Sequence, residues 1–441
     1  MKIYIYSFLF VQQFLFAQFA DTLKLTDPNQ FARIDSIIIQ GNEITEEFII
    51  TRELTFFPGD EINQTLLKYN RERVYSLGLF NYVEFYLIQD EEKINLVIDV
   101  LEKWYLYPLP FVYLNEDDFD KATYGINFKL ENFRGRNETL SAYIGLGYDP
   151  RVRFSYTIPA FLYKEGIGLG FQIAYQDFSN KSNIAETLVG NDFDYTIYTG
   201  AISINKRLDQ FNLFELMTGY SYIATDGILV NGITASGNTI DRYPFMSLAY
   251  VYDSRDLKQF SKTGLLTSAQ ISHKGFGIEG VSYQIFELDL RQYNQVVEDI
   301  TARWRVNYRS AFGKTIPYYD YSFLGYSEYI RGHRENEMEG LQYLLGSLEM
   351  SYSIVDEWHL SLDLPLLPKS LTSTRIGVNF NIFTDAGVTY DHFKELKLNN
   401  FISGYGFGLN ILFLPFNAVR FEYAFDEYMN GEFIIGVGFS F

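Results

Sequence analysis

Arg331 is followed by Gly332 and His333 in a polar stretch that runs to Gly340. Two alternating segments lie downstream. Leu344, Leu348, Met350, Tyr352 and Ile354 share one phase, which places Ser347, Glu349, Ser351 and Ser353 on the other. Ile376, Val378, Phe380 and Ile382 share a phase opposite Arg375, Asn379, Asn381 and Asp385. If the apolar phases meet lipid, Glu349 and Asp385 face an enclosed interior. A guanidinium on an infolded loop would then meet two carboxylates. Arginine suits that role because it binds carboxylates bidentately and keeps its charge. This is the chemistry of an electrostatic lock.

Other chemistry has little to draw on. The chain has no Cys, so disulfides, thiolate metal sites and cysteine nucleophiles are excluded. Its four His, at 273, 333, 359 and 392, are scattered. His359 and Ser361 share a strand face, but no third catalytic member follows with clear spacing. Gly325-Tyr326-Ser327-Glu328 lacks the second glycine of a nucleophile elbow. No enzyme, cofactor or metal centre is expected. A net charge of -19 argues against nucleic acid as a partner. Further charges stand in rows: Arg303, Arg305 and Arg309 in one phase, and Glu287, Asp289 and Arg291 in another. They should face inward and pair across two strands, because charge facing lipid costs several kcal/mol.

These residues need a wall to hold them. Ile167, Leu169, Phe171 and Ile173 alternate with small or polar residues, as do Tyr405, Phe407, Leu409, Ile411 and Phe413. Phe433, Ile435, Val437, Phe439 and Phe441 repeat the pattern at the end of the chain. Aromatics make up 18% of the residues, which suits interfacial girdles. Met1-Lys2, an apolar run from Ile3 to Phe16 and the small residues Ala17 and Ala20 read as a signal peptide over residues 1–20. Beyond it no apolar stretch is long enough for a spanning helix, so a membrane location requires a barrel. At roughly 20 residues per strand and loop, residues 105–441 make a transmembrane antiparallel β-barrel of about sixteen strands.

A small α/β domain precedes it over residues 31–103. Ile34, Ile37, Ile38 and Ile39 form a strand ending at Gly41-Asn42. Thr45 can cap a helix that Pro58-Gly59-Asp60 ends. Leu66, Asn70, Val74 and Leu77 line one face of a second helix. Tyr82 to Ile88 and Ile94 to Val100 then form two strands, giving the order β-α-α-β-β.

Gly41-Asn42, Pro58-Gly59-Asp60, Leu77-Gly78-Leu79-Phe80 and Val100-Leu101-Glu102 stand in the order seen in POTRA domains, and this segment resembles one. The barrel in turn resembles the outer-membrane assembly family of BamA and TamA type. Phe383-Thr384-Asp385-Ala386-Gly387 matches that family's Phe-x-Asp-x-Gly motif in full. Arg331-Gly332 matches the Arg-Gly of its sixth loop, with His333 where an aromatic is usual, and Glu349 matches its Glu on the following strand. Asn132-Phe133-Arg134-Gly135-Arg136, and Asp253-Ser254-Arg255-Asp256 with Thr263-Gly264, resemble two further family elements.

The resemblance implies insertion of β-barrel proteins into the outer membrane, or polypeptide translocation across it, without a cofactor. It implies a lock of Arg331, Gly332, Glu349 and Asp385. It implies a client edge at Tyr82 to Ile88, with Tyr82, Val83, Glu84, Phe85 and Tyr86 as candidate binding residues through β-augmentation. Val437, Phe439 and Phe441 look like the β-signal read by assembly machinery, beside a seam of first and last strands that opens laterally. Gly436 and Gly438 would loosen that strand. Implied partners are the lipid bilayer, unfolded barrel or secreted clients, and periplasmic or lipoprotein accessory factors. The POTRA domain would lie in the periplasm of a Gram-negative type cell. A single POTRA points to a specialised machine. The alternative is a passive pore or small-solute transporter.

Overall fold

The computed structural model describes residues 21–23, 25, 30–115, 118–334 and 336–438. The expected signal peptide over 1–20, and Phe439 and Phe441 of the expected β-signal, lie outside them.

The N-terminal unit is a four-stranded sheet in the order β1-β5-β6-β3: β1 (Asp21–Leu23), β3 (Ser36–Gln40), β5 (Phe80–Asp90) and β6 (Lys93–Glu102). β2 (Ala32–Arg33) and β4 (Glu61–Ile62) pair separately. Helices α1 (Glu47–Thr51) and α2 (Gln64–Tyr75) cover the sheet. Asn63 caps α2 by accepting the Leu66 amide at 2.9 Å. Asn70, the polar exception on that helix, is fully buried and satisfied: its Oδ1 accepts the Thr55 amide at 2.7 Å. Thr45 does not cap α1. Its hydroxyl goes instead to Glu102 at 2.5 Å, and the same carboxylate accepts the amides of Ile44 and Thr45. A buried carboxylate outbids the helix end because it needs several donors at once.

Sixteen antiparallel strands form the second unit. They are β7 (Leu106–Asn115), β8 (Asp118–Phe133), β9 (Glu138–Gly147), β10 (Arg151–Leu162), β11 (Ile167–Ser179), β12 (Asp194–Arg207), β13 (Asn212–Thr225), β14 (Ile240–Asp253), β15 (Gly264–Lys274), β16 (Tyr283–Val297), β17 (Ile300–Gly313), β20 (Gln342–Ser361), β21 (Ser373–Tyr390), β22 (Ile402–Leu414), β23 (Asn417–Asp426) and β24 (Gly431–Val437). The hairpin of β18 (Ser322–Leu324) and β19 (Met338–Gly340) belongs to the long loop between β17 and β20, the sixth on the end away from the N-terminal unit. The wall inverts a soluble core. Leu348, Met350, Tyr352 and Ile354 are exposed, whereas Glu349 and Ser351 between them are buried. Apolar residues outward and polar residues inward is the pattern of a barrel in lipid. The described segments contain no helix long and apolar enough to cross a membrane.

The two units share one apolar core. Ile49, Ile50, Val74, Phe80 and Ile98 of the first pack in a cluster with Leu257, Phe260, Leu412, Leu414 and Ala418 of the barrel's near end. Ion pairs surround it: Glu53 to Arg207 at 2.6 Å, Glu72 to Arg375 at 2.7 Å and Arg71 to Glu357 at 2.7 Å. The 132–136 turn joins too, since the Gly135 carbonyl accepts the Glu46 amide at 2.9 Å and Asn132 donates to Thr45 at 2.8 Å.

Candidate functional site

Loop six turns back into the lumen and carries Arg331 to the wall, where it is 5% exposed. Its Nε and Nη2 donate to the two oxygens of Asp385 at 2.7 and 2.8 Å. Its Nη1 donates to Glu349 and to Glu422, each at 3.1 Å. The guanidinium carbon lies 3.6 Å from the centre of the Phe383 ring. Strand phase in the sequence points to Glu349 and Asp385; Glu422 is a third partner that it does not single out. Arg303 reaches Glu349 at 3.5 Å and Arg420 reaches Glu422 at 3.2 Å. Three guanidiniums thus meet three carboxylates, and the cluster balances without an imported ion. Such balance matters, because an unpaired charge at this depth costs several kcal/mol.

The backbone makes room for this contact. Gly332 has φ +95°, and a Cβ there would come 2.7 Å from the Phe425 carbonyl. Gly404 leaves space on the wall for the Arg331 carbonyl. His333, at the position of the expected aromatic, makes polar contacts instead. Its Nε2 lies 2.6 Å from Glu427 and 3.1 Å from the Ser403 carbonyl. Glu427 sits in the turn between β23 and β24, so loop six is tied to the last hairpin.

Rows of charge continue along the lumen. Arg305 bridges Asp289 at 2.8 Å and Glu328 of loop six at 2.7 Å, while Arg309 reaches Glu287 at 3.4 Å. From the near end, Phe260 stacks on Arg303 with the guanidinium carbon 4.3 Å from its ring centre. Loop six and the 254–263 turn therefore meet the same cluster from opposite sides. Above them remains a chamber of about 980 Å³, bordered by Arg151, Asp289, Arg309, Tyr319 and Tyr326 among others.

The expected client edge is only partly open. β1 already pairs with the end of β5, placing Leu23 opposite Leu87 and Thr22 opposite Ile88. Among the described residues, Tyr82 to Tyr86 carry no ladder on that side. Val83 and Phe85 turn their side chains into the core, whereas Tyr82, Glu84 and Tyr86 are half-buried. At its start the strand leans on the barrel: the Asn81 side-chain Nδ2 donates to the Ser370 carbonyl at 2.7 Å, and the Tyr82 ring lies 5.1 Å from the His359 ring. A groove of about 1160 Å³ runs beside the edge, between α2 and the 295–298 turn.

The third feature is the seam. β7 and β24 end the sheet, and among the described residues no ladder joins them. Gly436 leaves space for the Arg420 guanidinium, 2.7 Å from where a Cβ would stand. Gly438 takes φ +114°. Val437 is the last residue of the described strand, and it is exposed.

A family model described as the Omp85 superfamily domain matches residues 132–441. The POTRA model, described as surface antigen variable number repeat, matches residues 32–103. A crystal structure of BamA from Haemophilus ducreyi lacking POTRA domains 1-3 is similar at TM-score 0.52 and 16% identity, covering 95% of this chain and 88% of that one. CdiB from Escherichia coli is similar at TM-score 0.55 and 11% identity, covering 92% and 75%. At these identities the likeness is one of fold.

Proposed function

The chain belongs to the Omp85 superfamily, whose members act on client polypeptides at the outer membrane, and from that premise we propose a machine that admits clients at a POTRA edge and releases them at a barrel seam. The POTRA unit stands in the periplasm. A client strand adds to Tyr82–Tyr86 and is handed to the seam between β7 and β24. There it either enters the bilayer as a new barrel or crosses to the cell surface.

The seam is the observation that carries this reading. A sheet whose end strands share no ladder among the described residues leaves backbone groups there without a strand partner, and the work of opening it is small. The lock of Arg331 on Asp385, Glu349 and Glu422 holds loop six inside, which keeps the wall in shape although its end strands share no ladder among the described residues. A passive pore has less support, because loop six and Phe260 meet across the lumen at Arg303 and Glu349.

Depletion of the protein, followed by quantitative proteomics of outer-membrane and secreted fractions, tests the reading. A fall of many barrel proteins marks a general insertase. A fall of a few proteins marks a dedicated insertase or translocator and names its clients. Unchanged fractions overturn the reading and favour a route for small solutes.

A further inference from the structure

β7 contains two prolines, Pro108 and Pro110, where an edge strand would normally present donors. The Glu131 amide donates to the Tyr105 carbonyl at 2.8 Å, and this pair continues the β7–β8 register. In an antiparallel ladder successive residues alternate between bonding one neighbour and bonding the other. Odd-numbered residues of β7 therefore turn their backbone to β8. Leu106, Pro108, Pro110 and Val112 turn theirs to the seam. On the other side, the Gly438 amide donates to the Ala418 carbonyl at 2.9 Å, continuing the β23–β24 register. Even-numbered residues of β24 bond β23, and Phe433, Ile435 and Val437 face the seam with amide and carbonyl both present.

The two edges are thus unequal. Each residue pair of a closed ladder exchanges two bonds, and a proline supplies only the acceptor. The ring Cδ also stands where the hydrogen would be, and it holds a facing carbonyl away. Prolines on edge strands are a known way to blunt pairing. We propose that Pro108 and Pro110 make the seam one-sided: β7 cannot template an added strand over Leu106–Pro110, and a client strand takes its ladder from β24. The inference rests on the proposed function for its occupant, but the state of the seam can be measured without any client.

Hydrogen exchange on the full chain in lipid nanodiscs is the first arm. Amides of residues 431–438 that face the seam should exchange freely in the wild type. They should slow by about tenfold or more in P108A/P110A, which restores two donors. The variant's heat-modifiable gel mobility reports that the barrel has formed. Protected seam amides in the wild type, or no change in a folded variant, overturn the role of the prolines.

Because the chain lacks Cys, single cysteines give the second arm. The probe is a synthetic peptide with the sequence of residues 431–441 and an added amino-terminal cysteine. Disulfide capture should favour Phe433→Cys on β24 over Val112→Cys on β7 by about tenfold, the ratio of a paired to an unpaired edge. Equal capture, preference for Val112→Cys, or capture at neither overturns the one-sided edge. Failure of the wider functional reading would appear separately, as unchanged fractions on depletion.

Discussion

Arg331 binds three carboxylates with one side chain, and the planar fork is what permits it. Replacing it with alanine leaves Asp385, Glu349 and Glu422 facing only Arg303 and Arg420. Breaking a buried pair in this way costs about 3–5 kcal/mol. We expect Arg331→Ala to free loop six, seen as rapid protease cleavage within residues 314–341, with far-UV circular dichroism of the barrel unchanged and client output reduced. Arg331→Lys should rescue little, since an ammonium cannot span the three acceptors. An Arg331→Ala chain with wild-type output and an uncleaved loop would sink the lock. Two of its carboxylates were legible from strand phase alone. Glu422 obeys the same rule, in phase with Arg420 and opposite Phe421 and Tyr423, yet sequence gives no reason to bring β23 to loop six. The neighbouring order of β20, β21, β22 and β23 in the wall supplies that reason, setting Glu349, Asp385 and Glu422 around one guanidinium.

Loop six and the strand walls fit at the scale of whole elements. β22 presents Gly404 to the loop backbone, and Gly332 presents no side chain to β23. Gly332→Ala adds a methyl 2.7 Å from a carbonyl oxygen, at a φ that alanine rarely adopts. The strain alone costs about 1–3 kcal/mol. The variant should release loop six partly, giving intermediate protease sensitivity between wild type and Arg331→Ala; wild-type resistance would mean that β23 yields at Phe425. Strand content was readable because alternation of period two repeats through most of the barrel. The helix start at Thr45 was misread, because the claim of Glu102 on the Thr45 hydroxyl arises 57 residues away. The pairing of Asp21–Leu23 with β5 was also unreadable: three residues carry no pattern, and only the waiting edge of β5 makes them a strand.

For the whole molecule, the junction between the two units governs behaviour. Burial alone would push the Glu53 carboxyl up, but Arg207 beside it, aided by Lys258 and Arg52, holds it down at about 2. A carboxyl lower in the folded than in the unfolded state stabilises above its unfolded value and loses that contribution as pH falls. The window runs from the ordinary value of 4.5 to about 2. The contribution is on the order of 3 kcal/mol. Thermal unfolding of the full chain in detergent should fall steeply across that window. Glu53→Gln should start lower and fall less; parallel curves for the two chains would refute the assignment.

The shared core has a consequence for reach. A domain tethered by a linker searches a volume, and its client meets the barrel by chance. Here Leu257 and Phe260 lie within the same cluster as Ile49 and Phe80, so the N-terminal unit cannot swing. The groove beside β5 keeps a fixed bearing toward the 295–298 turn that forms its far wall. On the proposed function, a polypeptide held there would approach the barrel along a single heading, as cargo on a rail, and the length of client needed to span from groove to seam would be set by geometry rather than by diffusion.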